Sequence, residues 1–161
     1  MRFILVDEIL ELSAGSYIKA AKHIAPDEDY FRDHFPGFPV VPGVLLTEMM
    51  AQAAGKCLAA EDLSRGRPML AQIKSATFRE WVGPGKTVIL VADIKVSRPQ
   101  YATAACRAEV DGHAVCSAEV FFSFVPEGRF SPGFRDEVLE RFLASRGPAA
   151  PIDLGGLSKK V

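Results

Sequence analysis

Between Met69 and Val125 apolar and polar residues change over with a period close to two, whereas one earlier stretch is apolar nearly all round and free of proline. These two patterns predict a strand-rich sheet and one buried helix. The helix is expected over Val44 to Ala60, which is rich in the good helix formers Leu, Met, Ala and Glu and begins just after Pro42-Gly43. Lacking a broad polar face, it belongs inside a fold. Its small residues Ala51, Ala54 and Gly55 let another backbone approach closely. Strands are expected over Met69 to Arg79, Thr87 to Ser97, Gln100 to Val110 and His113 to Val125. Asp111-Gly112 separates the last two and is a preferred dipeptide for a tight hairpin turn. Ala114, Cys116, Ala118, Val120, Phe122 and Phe124 share one face of the final strand, which would fix its register against a core. Ahead of the helix, Val6 to Leu12 and Ser16 to Ile24 flank Ala14-Gly15 as an opening hairpin, and Pro26 through Phe31 suits a brief helical turn. The sum is an α+β fold, a mostly antiparallel sheet of about five or six strands curled around one long helix.

The composition shifts after Val125. Asp136 to Ser145 predicts one exposed helix, and Gly147-Pro148-Ala149-Ala150-Pro151 with Gly155-Gly156 predicts a loose tail. The expected organisation is therefore a domain over 1–125 and a C-terminal extension over 126–161, made of one short helix and a flexible tail. A chain of 161 residues suits one such domain. With 48% hydrophobic and 24% charged residues, neither disorder nor a fibrous repeat is indicated. A net charge of -1 gives no general attraction to nucleic acid or to an anionic membrane. Apolar runs fall short of the roughly 18 residues a spanning helix needs, and Arg2-Phe3-Ile4-Leu5-Val6 runs straight into Asp7-Glu8, unlike a signal peptide. Cys57, Cys106 and Cys116 are an odd number without CxxC spacing, which fits buried hydrophobes in a reducing compartment. The expected location is the cytoplasm.

Chemistry concentrates in the run from His34 to Glu48. Three prolines and two glycines between His34 and Gly43 make a rigid, turn-rich loop leading into the helix. Glu48 falls in the second helical turn, and Gln52 lies four residues on, on the same face. A lone loop histidine or helix glutamate is usually structural or solvated. Gathered around one helix start with an amide beside them, they read as a base and an acid. His23 and His113 have no partners at metal-ligand spacing, so no metal is assigned to them.

The segment His34-Phe35-Pro36-Gly37, Pro39-Val40, Pro42-Gly43-Val44-Leu45, Glu48 and Ala51-Gln52 resembles the signature of the 3-hydroxyacyl-[acyl carrier protein] dehydratases of the FabZ type. The likeness covers about residues 1–125 and leaves the extension outside. It implies a hot-dog fold, a dimer whose sheets join edge to edge, and three such dimers forming a hexamer. It implies that His34 and Glu48 are catalytic, with each site drawing His34 from one protomer and Glu48 from the other. Gly43 falls where the family donates a backbone N–H to the substrate thioester carbonyl, Val40 where a carbonyl orients the imidazole, and Gln52 at a supporting polar position. The implied partner is an acyl carrier protein, with no metal or organic cofactor. Two departures stand out: Glu80-Trp81 replaces the usual Arg-Pro, and the C-terminal extension is longer than usual.

Dehydration of a 3-hydroxyacyl thioester needs a base near C2, an acid near the leaving hydroxyl and a donor for charge growing on the thioester oxygen. A neutral imidazole suits the first task. Glu48 must be protonated for the second, a state that apolar surroundings favour. The Gly43 N–H, at the positive end of the helix dipole, suits the third. Three rival readings are a dehydratase that also isomerises the double bond, a thioesterase on the same fold, and a non-catalytic acyl-binding subunit. The related isomerases usually carry Asp where Glu48 stands, and a binding subunit needs no acid and base.

Overall fold

Asp111 and Gly112 take φ values of 51° and 81°, the left-handed pair that a two-residue hairpin requires. In the computed structural model, which describes residues 2–146, they join β5 (Tyr101–Val110) to β6 (His113–Val125). Ahead of them come β1 (Glu8–Ser13), β2 (Tyr17–His23), α1 (Gly43–Glu61), β3 (Arg67–Phe78) and β4 (Thr87–Ser97). The expected strands and helices are all found, with ends shifted by no more than two residues, and the brief turn expected over Pro26 to Phe31 lies at Asp29–Arg32. All six strands form one antiparallel sheet in the order β1-β2-β4-β5-β6-β3, curled around α1. Met49, Met50 and Leu58 of α1 are fully buried against Ile18, Leu90 and Phe122 of the sheet. Each fully buried side chain of this kind contributes about 1.5–3 kcal/mol of transfer free energy.

One face assignment needs correction. Ala114 is exposed, while the consecutive residues Val115 and Cys116 are both buried. Glu109 pairs with Ala114 and Ala108 with Cys116, so Val115 is an extra residue in β6. Such a bulge reverses the alternation on one side of itself. The displaced Val115 carbonyl accepts the Arg79 N–H at 2.8 Å, where β3 ends.

β3 is an edge strand, exposed at every position from Ala71 to Phe78. Met69, Ile73 and Phe78 are large apolar side chains left open to solvent there. An edge of this kind offers unpaired backbone groups to another strand.

Beyond β6 the chain turns at Glu127–Arg129 and forms α2 (Glu137–Ser145). Asp136 caps α2 by accepting the Leu139 N–H at 3.0 Å. The expectation of an exposed helix holds for only one face, because Val138 and Leu139 are buried in the main core. An amphipathic helix lays that stripe on the nearest apolar surface. The tail expected after Ser145 lies almost wholly outside the described residues. No helix among the described residues is long and apolar enough to cross a membrane.

Candidate active site

The loop before α1 is built from short backbone bonds. His34 N–H reaches the Tyr30 carbonyl at 2.9 Å, Phe35 and Phe38 exchange bonds at 3.0 and 2.9 Å, and Val40 N–H returns to the His34 carbonyl at 3.0 Å. Gly37 makes the tight reversal possible with φ at 79°. His34 is thus held at both its backbone ends, and its ring stacks on Phe35 with centroids 4.1 Å apart.

His34 Nδ1 lies 3.0 Å from the Val40 carbonyl oxygen. A carbonyl only accepts, so Nδ1 carries the proton and Nε2 is left with its lone pair. The ring borders a cavity of about 470 Å³ whose other walls include Phe38, Gly43, Val44, Phe78 and Trp81. Gly43 is the first residue of α1, in the turn whose N–H groups have no intrahelical acceptor. It also packs tightly, since a Cβ there would sit 2.9 Å from Phe78 Cε1.

Glu48 is half-buried and borders a different cavity, of about 710 Å³. Its Oε1 accepts from Gln52 Nε2 at 3.0 Å. Gln52 in turn binds the N-terminal segment, donating to the Phe3 carbonyl at 3.2 Å and accepting the Leu5 N–H at 2.9 Å. One amide therefore orients the Glu48 carboxyl group and straps the chain's start to α1.

Within one chain the structure groups His34 with Val40 and Gly43, and Glu48 with Gln52, but places the two groups in separate cavities. Phe78 and Trp81 beside His34, and Phe3 beside Glu48, were not picked out as site residues from the sequence. Trp81 is 76% exposed and borders the His34 cavity, and the departure at Glu80-Trp81 is the sequence signal that points to it. Lys56 was also missed. It is 9% exposed, and its Nζ lies 2.7 and 2.6 Å from the two carboxylate oxygens of Asp136. No cluster of metal-ligating side chains occurs among the described residues.

A curled antiparallel sheet around one long helix is the hot-dog fold. Solved structures agree on the fold: the dehydratase heterocomplex ApeI:P from Xenorhabdus doucetiae aligns with TM-score 0.58 and 23% identity, over 73% of this chain and 97% of that one. The PaaI protein of E. coli, from the phenylacetic acid degradation operon, aligns with TM-score 0.59 and 9% identity, over 73% of this chain and 78% of that one. The FabA-like domain model matches residues 1–119. Two curated relatives carry the name 3-hydroxyacyl-[acyl-carrier-protein] dehydratase FabZ. That of Ruminiclostridium cellulolyticum is 37% identical over 75% of this chain and 86% of its own length. That of Lawsonia intracellularis is 39% identical over 72% of this chain and 78% of its own length. The chain belongs to the FabA-like family, among its FabZ-type dehydratases.

Proposed function

We propose that the protein removes water from (3R)-3-hydroxyacyl thioesters carried on acyl carrier protein, giving trans-2-enoyl thioesters for fatty acid biosynthesis. His34 Nε2 takes the C2 proton, and the electron pair of that bond becomes the C2–C3 double bond. The C3–O bond breaks, and hydroxide leaves with the Glu48 proton as water. The Gly43 N–H holds the thioester oxygen as charge grows on it, a contribution of roughly 3 kcal/mol in comparable sites. Neither a metal nor an organic cofactor takes part.

The observation that carries this reading is the division of the pair. His34, with Nδ1 held by the Val40 carbonyl, borders one cavity, and Glu48 borders another. This division supports drawing the acid and the base for one substrate from two copies. The exposed apolar edge of β3, with Phe78 beside Gly43, is where a second copy is expected to seat. A homodimer with two shared sites follows, and three such dimers in a hexamer complete the proposed assembly. A cytoplasmic location is part of the proposal, supported by three free buried cysteines.

Mass spectrometry of 3-hydroxyacyl carrier protein incubated with the wild type, His34→Ala and Glu48→Gln tests the chemistry. The wild type is expected to remove one water, and each variant to be slower by on the order of 10³-fold. Release of free acid without enoyl product would establish thioester hydrolysis instead. Acyl binding without loss of water would establish the binding-subunit reading. Mixing the two inactive variants tests the sharing of sites: each mixed dimer has one intact site, so random exchange restores roughly a quarter of wild-type activity. Failure of the mixture to recover, with subunit exchange verified, would place both groups in one chain.

A further inference from the structure

The larger cavity extends from Glu48 along α1 past Ala51, Gly55 and Ala59, and part of its wall is foreign to the family domain. Phe130, Phe134 and Val138 supply that part. All three lie beyond residue 119, where the match to the family model ends. Two fastenings hold them. The Arg67 guanidinium stands 4.5 Å from the Phe134 ring centroid and 5.5 Å from that of Phe130, and donates to Glu127 at 2.6 Å. Lys56 binds Asp136, the residue that caps the helix carrying Val138.

We propose that this wall is a stop for the far end of the substrate's acyl chain, so that the C-terminal extension sets chain-length preference. The inference rests on the dehydratase reading of Glu48. Glu48 marks where the reacting carbons sit, and Lys56 lies eight residues along α1, about 12 Å up the helix axis. Over that span the cavity has apolar sides from Phe3, Ile4, Met69 and Leu70, a stretch that suits an alkyl chain, while the charged Lys56, Arg67 and Asp136 also border it beside the aromatic wall. A tail long enough to reach Phe134 would have to displace a ring held by a cation above it and by the ion pair beneath α2. That resistance separates this wall from a loop that yields to any length.

Gly55 offers the opposite handle. A Cβ there would meet only Pro68 Cγ, at 3.8 Å, so a larger side chain has room to grow into the cavity without disturbing the helix.

The test measures kcat/KM of the full-length protein for 3-hydroxybutyryl, 3-hydroxydecanoyl and 3-hydroxyhexadecanoyl carrier protein. Phe134→Ala, and Phe130→Ala combined with it, are expected to raise the hexadecanoyl-to-butyryl ratio on the order of tenfold, the effect of one or two methylenes gaining a pocket. Gly55→Leu is expected to lower the same ratio by a similar factor while butyryl turnover persists. Phe134 is 51% exposed, so its truncation should leave the fold intact. Gly55→Leu decides the matter should the ring variants fail to fold. Unchanged ratios in folded variants would overturn the stop while leaving the dehydratase reading in place. A wild type that dehydrates none of the three would overturn both.

Discussion

Gln52 Nε2 lies 3.0 Å from Glu48 Oε1, while the same side chain bonds the backbone at Phe3 and Leu5. The amide sets the direction of the acid through a strap it also fastens. Gln52→Leu keeps the volume but removes three hydrogen bonds and leaves the N–H of the buried Leu5 without its acceptor. The expected result is a loss of about 1–3 kcal/mol of stability. A fall in kcat with little change in KM should accompany it. Chemical denaturation and steady-state kinetics on the same preparation check both. Gln52→Glu, which keeps one acceptor but sets two carboxylates side by side, should be worse in turnover than in stability.

Gly43→Ala brings a methyl to within 2.9 Å of the Phe78 ring, closer than carbon atoms tolerate. Either the ring or the start of α1 must move, and the second displaces the N–H proposed to hold the thioester oxygen. We expect a folded protein with kcat reduced on the order of 10²-fold, the scale of losing one oxyanion donor. Gly43→Ala combined with Phe78→Leu should recover part of the loss by clearing the clash. No recovery would place the effect in the backbone conformation of residue 43.

Asp136 has two tasks, capping α2 and neutralising the buried Lys56. Asp136→Ala removes both and leaves the ammonium without its partner. The expected cost is about 2–4 kcal/mol, read from the urea midpoint. Asp136→Asn keeps the cap and should fall between wild type and alanine. Lys56→Met should be milder than Asp136→Ala, since it leaves no buried charge.

Burial pushes the Cys57 and Cys116 thiols up to about 11 and the Cys106 thiol up to about 12. Thiols of an unfolded chain ionise near 8.5. Above that pH the unfolded state gives up protons that the folded state keeps, so this contribution to stability is full below about pH 8.5 and declines as pH rises toward 11 to 12. Urea midpoints measured across that range should fall, and less steeply in Cys106→Ala. At neutral pH, iodoacetamide should label none of the three until denaturant is added.

Local signals explain why most elements are legible in the sequence. Asp111-Gly112 states its own turn, and the run after Pro42-Gly43 states its own helix, because φ preference and periodicity act over a few residues. The His34–Val40 contact spans six residues and is likewise close in sequence. What escapes is set by distance along the chain. The bulge at Val115 depends on pairing with β5, and alternation alone places Ala114 on the wrong face. The buried side of α2 depends on packing near β1, more than 120 residues earlier in the chain, and its cap Asp136 on Lys56, 80 residues away. No property of β3 itself reveals that it ends up at the sheet edge with Met69 and Ile73 in solvent. That position follows from the strand order.

The same strand order has a consequence during synthesis. Among the described residues β3 pairs only with β6, whose last residue is Val125, yet it leaves the ribosome before β4, β5 and β6. Until β6 arrives, both edges of β3 are unpaired and its apolar residues have no sheet to join. Contacts of such separation are late and slow to form. The nascent chain therefore carries a sticky strand while residues 79–125 are made, and two neighbouring ribosomes on one message would present the same strand to each other. Lys74 in the middle of β3 is the kind of charge that discourages such early pairing.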